Sequence, residues 1–158
     1  MRRKNREVSN MEEIVEIIKK CDVCRIAFFD EEYPYIIPLN FGVNHDGEDI
    51  DFYFHGANAG KKLDLLRQNP KVGFELDCSH NLITGEAACD YTMEFESVCG
   101  DGIIEVLGDD QKIRALNILM QQYARDTTFE YSEQSLKAVT VLKLKVHHIM
   151  GKRLNKNS

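Results

Sequence analysis

The chain has 158 residues, 43% of them hydrophobic and 29% charged, which suits one compact domain with a real core. A net charge of −6 argues against sequence-independent nucleic-acid binding, and Arg2, Arg3, Lys4 and Arg6 are too few to reverse it. No apolar run reaches membrane-spanning length, the N-terminus has no signal-peptide core, and the five cysteines are an odd number, so the expectation is a cytoplasmic protein with reduced thiols.

Ser9-Asn-Met-Glu12 reads as a capping box, and Ile14, Ile17, Ile18 and Cys21 then recur at helical spacing. Val23 to Phe29 reads as a strand, Asp30 to Glu32 as a turn, and Tyr33 to Gly42 as a second strand. Pro34 and Pro38 cannot donate to a ladder, which predicts an edge, a bulge or a cavity on their side. Asn44 to Glu48 has hairpin-turn composition, and Ile50 to His55 is the third strand.

A short helix starts at Lys61 and stops at Asn69-Pro70, with Leu63, Leu65 and Leu66 as its apolar side. Val72, Phe74, Leu76 and Cys78 alternate with polar residues as a half-buried strand, and Ser79 to Asp90 reads as a loop. Tyr91, Met93 and Phe95 begin another strand that resumes at Ile104 and Val106; Gly100 and Gly102 between them fit a bulge or bend. A helix after Gly108 carries Ile113, Leu116, Leu119, Met120 and Tyr123. A loop covers Arg125 to Tyr131, a short helix Ser132 to Lys137, and a last strand Val139 to Ile149, followed by a loose polar tail from Lys152. Adjacent strands with short turns mean antiparallel pairing, so the predicted fold is mainly β: an antiparallel barrel with flanking helices, one domain over 1–158 with its core at about 9–151.

The stretch Phe52 to Pro70 carries the clearest chemistry. An aromatic strand runs into a small-residue loop ending at Gly60, and Lys61 and Lys62 begin a helix. First-turn N–H groups lack intrahelical partners and the macrodipole adds partial positive charge there, so the natural guest is a phosphate. The spacing is neither a Walker A loop nor G-x-G-x-x-G, and an ordinary connection with solvated lysines is the plain alternative.

Taken in order, Tyr33-Pro-Tyr-Ile-Ile-Pro-Leu-Asn-Phe41, Phe52-Tyr-Phe-His-Gly56, Gly60-Lys-Lys62 and Asn69-Pro70 resemble the pyridoxamine 5′-phosphate oxidase-like flavoproteins. The capped first helix, Cys89-Asp-Tyr91 and Glu96-Ser-Val98 resemble the nitroimidazole-resistance (Nim) branch of that superfamily, and the similarity runs from about Arg2 to Arg153. The resemblance implies an FMN-binding split β-barrel and a homodimer with flavin at the subunit interface. It implies that Gly60, Lys61 and Lys62 hold the FMN phosphate and that Pro38, Leu39, Asn40 and Phe41 lie along the isoalloxazine ring. Phe54 and His55 fall on the ribityl-phosphate side, and Ser97 and Val98 on a strand beside the flavin. The chain is shorter than the vitamin-B6 oxidases and lacks their C-terminal substrate residues, so pyridoxine chemistry is not expected.

His55 is the catalytic candidate, as a proton donor near the flavin; a strand histidine bonding phosphate or backbone is the alternative. Arg25, Glu94 and Glu96 read as barrel-surface groups, and His147 and His148 alternate faces. Cys21-Asp-Val-Cys24 has C-x-x-C spacing but follows a helix and leads into a strand, so buried small hydrophobes are the plain reading and no metal site is expected. The expected function is an FMN-dependent reductase passing electrons from NAD(P)H to a small acceptor such as a nitroaromatic. A non-catalytic flavin- or haem-binding module is the alternative, and a zinc or thiol switch on Cys21 and Cys24 a third.

Overall fold

The computed structural model describes residues 4–47, 49–125 and 127–155. Arg2 and Arg3, Glu48 of the expected turn, Asp126 of the expected loop, and 156–158 of the expected tail lie outside the described residues.

After a two-residue strand, β1 (Glu7–Val8), helix α1 spans Met11–Lys20. Its cap is Asn10, whose side chain accepts from the Glu13 N–H at 3.1 Å, one residue later than the Ser9 box predicts. Both residue types cap well, so composition cannot separate them. Ile14, Val15, Ile17 and Ile18 are buried, while Glu12 and Glu13 start and Lys19 and Lys20 end the helix in accord with its dipole.

Strands β2 (Cys24–Phe28) and β3 (Tyr35–Leu39) form a hairpin. The single strand expected over Tyr33 to Gly42 is broken at Asn40–Phe41, and β4 begins afresh at Gly42–Asp46. Strand β5 (Asp49–Ala57) leads to helix α2 (Lys61–Gln68), and Pro70, lacking an N–H, cannot continue that helix. Strands β6 (Lys71–Ile83) and β7 (Thr92–Val106) follow, then helices α3 (Asp109–Tyr123) and α4 (Glu133–Ala138) and strand β8 (Val139–Leu154).

The strands pair antiparallel in the order β3-β2-β6-β7-β8-β5-β4, with β1 added to β8. The two ends of that path, β3 and β4, are joined by two residues only, and three Cα–Cα steps span at most about 11 Å. The sheet must therefore curl until its edges approach, which gives a barrel split between β3 and β4. Inside are Phe28, Phe41, Phe52, Phe54 and Phe74, all buried, with Phe52 centred 5.6 Å from Phe41 and 5.2 Å from Phe74. Helix α1 covers this core, while α3 packs outside the barrel on a smaller cluster of Tyr53, Leu107, Ala115, Leu116 and Val141.

The expected bend at Gly100 and Gly102 is present. The β7–β8 register shifts between Asp101 and Gly102, skipping His147, and a Cβ on Gly102 would stand 2.1 Å from the Lys145 carbonyl. Two expectations fail. Strand β6 continues to Ile83 instead of ending in a loop at Ser79, with a register shift after Cys78 and Ser79 at φ 59°. The tail is no loose end at Lys152 to Leu154, because these residues pair with Phe95 to Ser97 of β7.

Candidate functional site

The start of α2 is where cations and free donors gather. Gly60, at φ 131°, caps the helix without a side chain, a conformation that favours glycine. Its carbonyl accepts from the Leu63 and Asp64 N–H groups, so the amides of Lys61 and Lys62 have no acceptor within the helix. Two cations at this end oppose the macrodipole. The Lys61 ammonium lies 2.6 Å from Asp30 Oδ2 and 5.1 Å from the Tyr35 ring centre, and the hydrogen bond to Asp30 raises its pKa. Lys62 folds back over the end of β5, where a Cβ on Gly56 would stand 2.6 Å from its Nζ.

The loop before α2 is tied down by Asn58, which donates to the Lys137 carbonyl at 2.7 Å and accepts from Thr140 Oγ1 at 2.9 Å. His55 stands exposed on β5 opposite Val141, next to buried Phe54. Gly56, Gly60, Lys61 and Lys62 are thus collected with Asp30 and Tyr35, and His55 adjoins them in sequence.

Pro38 to Phe41 leads away from this group, since Tyr35 to Leu39 covers about 13 Å at strand rise. Pro38 is exposed, lacks an N–H and pairs with Arg25 in register, at the edge its composition predicts. Phe41 is fully buried and its N–H donates to the Tyr123 hydroxyl at 2.9 Å, so that donor is already engaged. Asn40 Nδ2 donates to the Asp22 carbonyl at 3.1 Å. Phe41, Phe54 and Val98 are each 0% exposed, so within one chain none of them presents side chain or backbone to a surface ligand. Ser97, opposite Asp77 on β7, lies three strands from β3, about 14 Å along the sheet. Within one chain it does not join the lysines.

Glu96 is a correction. It is covered instead of exposed, at 7%, by its own partners: Lys20 at 2.8 Å, Ser79 Oγ at 2.9 Å and Arg153 Nε at 2.6 Å. Burial raises its pKa, but the hydrogen bonds from Lys20, Ser79 and Arg153 outweigh that and hold the carboxyl below the usual range. Arg153 also reaches Glu13 at 2.8 Å, so one knot joins α1, β6, β7 and β8. Arg25 does lie on the outer face, bridging Glu75 and Asp77.

Cys21 and Cys24 are buried in the core, and burial pushes both thiols far above their ordinary range, which leaves them poor nucleophiles and ligands. Among the described residues no three His, Cys, Asp or Glu side chains form a metal-binding group, and no helix is long and apolar enough to cross a membrane.

Sequence reasoning missed Asp30 as the partner of Lys61 and Tyr123 as the holder of Phe41. Neither carries a local signal, since each acts across a long stretch of chain.

The comparisons fit this architecture. A candidate 5-nitroimidazole antibiotic resistance protein from Bacteroides thetaiotaomicron VPI-5482 superimposes with a TM-score of 0.80 at 30% identity, over 93% of this chain and 86% of that one. An FAD and heme binding protein from Mycobacterium smegmatis shares the fold with a TM-score of 0.81 at 16% identity, over 94% of this chain and 73% of that one. The flavocytochrome Anf3 from Azotobacter vinelandii does so with a TM-score of 0.78 at 17% identity, over 94% and 69%. The uncharacterized protein RA0666 of Rhizobium meliloti (strain 1021) is 29% identical over 69 residues, less than half of either chain (44% and 42%). The family described as pyridoxamine 5′-phosphate oxidase matches residues 10–153, and this chain belongs to it.

Proposed function

We propose that the chain binds FMN with its phosphate at the start of α2, as a homodimer, and works as an oxidoreductase from a reduced nicotinamide to a small acceptor such as a nitroaromatic. One observation carries this reading: α2 opens with no side-chain cap, two amides without a helical acceptor and two lysines, of which Asp30 pairs with Lys61 alone, an arrangement that favours a bound anion. Flavin fits that cradle through its phosphate, and family membership and the 30% identical resistance protein support the choice of flavin.

The bound flavin would supply the hydride and electron chemistry, while this chain binds, orients and shields it. Lys62, folded over Gly56, and the two orphan amides neutralise the phosphate; Lys61 adds charge from its position beside Asp30. His55, exposed next to that end of β5, is the candidate proton donor to an acceptor. The homodimer reading is supported by Ser97. If it contacts the same ligand as the lysines, it must come from a second copy, because its β8 partner Lys152 lies thirteen residues along that strand from Val139, the partner of Ala57 beside the lysine loop.

The test is a visible absorption spectrum with and without added FMN, beside gel filtration and NAD(P)H turnover with a nitroaromatic. A flavin spectrum on a dimer that oxidises NAD(P)H is the expected result. Absence of flavin binding when FMN is supplied would contradict the reading, and a Soret band would replace it with haem binding.

A further inference from the structure

We infer that Cys21 and Cys78 are a peroxide-sensitive thiol pair, whose disulfide would tie the end of α1 to β6. Two shared atoms bring them together. The Ile17 carbonyl accepts from the Cys21 thiol at 3.3 Å and from the Cys78 thiol at 3.9 Å. Glu96 Oε2 accepts from Lys20 at 2.8 Å and from Ser79 Oγ at 2.9 Å, the chain neighbours of the two cysteines, and Cys78 Sγ itself lies 4.0 Å from that oxygen. The two thiols also meet, the Cys78 sulfur being a hydrogen-bond partner of Cys21. Cys24, the other half of the C-x-x-C, is held in the β2 ladder opposite Leu39, and the charges that act on its thiol are those of Glu75 and Arg25.

The backbone leaves latitude for the bond, which needs the two Cα atoms within about 7 Å. Cys21 caps α1 in an extended conformation, and Cys78 is the last β6 residue in register before the ladder shifts, so regular structure holds each of them on one side only. Exposure assigns the roles. Cys21 is 1% exposed and Cys78 half-buried, so an oxidant meets Cys78 first. Hydrogen peroxide delivers one oxygen to the Cys78 sulfur, giving a sulfenic acid and one water. The Cys21 sulfur then attacks the Cys78 sulfur: the S–S bond forms, the S–O bond breaks, and the hydroxide leaves with the Cys21 proton as a second water. Two thiols lose two electrons and one peroxide gains them. Burial pushes the Cys21 thiol up, which keeps it quiet until the sulfur beside it is oxidised.

The test treats the purified protein with hydrogen peroxide, blocks the remaining thiols with N-ethylmaleimide in urea, and maps the non-reduced digest by mass spectrometry. The expected result is a linked Cys21–Cys78 peptide pair, lighter by two hydrogens than the separate thiol peptides, that disappears with dithiothreitol. Because the bond closes a long loop, the urea midpoint should rise by about 1 M and fall back on reduction. Cys24→Ser should keep both effects, and Cys78→Ser should lose both. A bridge between Cys21 and Cys24, or sulfinic acid on Cys78 with Cys21 still a thiol, would overturn the pairing. So would Cys21 and Cys78 left unchanged at a peroxide level that oxidises the exposed Cys89 and Cys99.

Discussion

Two charged centres of this molecule, at Glu96 and at the start of α2, are built on opposite plans. At Glu96 a buried carboxylate meets Lys20, Ser79 and Arg153, and Arg153 is in turn held by Glu13. At α2 Lys61 is exposed and Lys62 half-buried over Gly56, both beside amides without a helical acceptor; Asp30 pairs with Lys61, and the first turn's own carboxylate, Asp64, with Arg67. The first centre is electrically complete and joins four elements, which is what a stabilising device requires. The second is left incomplete, which is what a binding site requires. Surface exposure makes the difference affordable, because an unpaired ammonium in water costs little and an unpaired buried carboxylate costs a great deal.

The largest effect should come from breaking the complete centre. Glu96→Ala leaves Lys20 and Arg153 without their shared partner, though both reach water and Arg153 keeps Glu13, and should lower stability by about 1–2 kcal/mol in urea unfolding, with FMN affinity per folded molecule unchanged. The pH dependence has a definite sign. Because the folded-state pKa of Glu96 lies below its unfolded value, its contribution is full above the ordinary carboxylate range, near ~4.3, and is lost as pH falls through the lower folded value. Unfolding midpoints should therefore fall in acid more steeply for the parent than for Glu96→Gln. Parallel curves would show that the knot does not depend on the ionised carboxylate.

A smaller effect is expected from Gly56→Ala. The new methyl would meet the flexible end of Lys62, at 2.6 Å from Nζ and 2.8 Å from Cε, and Gly56 is not among the positive-φ residues. The fold should survive while the ammonium is displaced, weakening FMN about three- to tenfold by titration calorimetry. Unchanged affinity would mean that the folded-back pose of Lys62 is not the binding pose. The smallest effect has the opposite sign. Asp30→Asn removes a carboxylate that competes with phosphate for Lys61, and since exposed pairs are worth about 0–1 kcal/mol, FMN should bind up to about fivefold more tightly. Weaker binding would instead assign Asp30 the task of aiming Lys61.

The same contrast explains what the sequence disclosed. The start of α2 is local: glycine, two lysines and a proline stop within eleven residues, each with a conformational meaning of its own. The alternation of Val72 to Cys78 and the bend at Gly100 and Gly102 are local too, and all are found as expected. Glu96 looked like a surface group because its partners Lys20 and Arg153 lie 76 and 57 residues away. The break at Asn40–Phe41 depends on Tyr123, 82 residues from Phe41. Lys152 to Leu154 reads as polar tail because its strand character comes from pairing with β7, not from its own apolar pattern. Side chains that answer distant partners leave no periodic trace, so the barrel and the glycine-and-lysine start of α2 are legible while the knots that fasten them are not.

Whether the start of α2 holds a phosphate is decided by comparing FMN with riboflavin, which lacks one. Charge-assisted hydrogen bonds of about 1.5–3 kcal/mol predict that the parent prefers FMN by about 10- to 100-fold or more. In Lys61→Ala with Lys62→Ala that preference should collapse toward unity, through loss of FMN affinity with riboflavin affinity and unfolding midpoint little changed. Equal affinity of the parent for both ligands, or a preference for FMN that survives the loss of both lysines, would contradict the account and move the phosphate elsewhere.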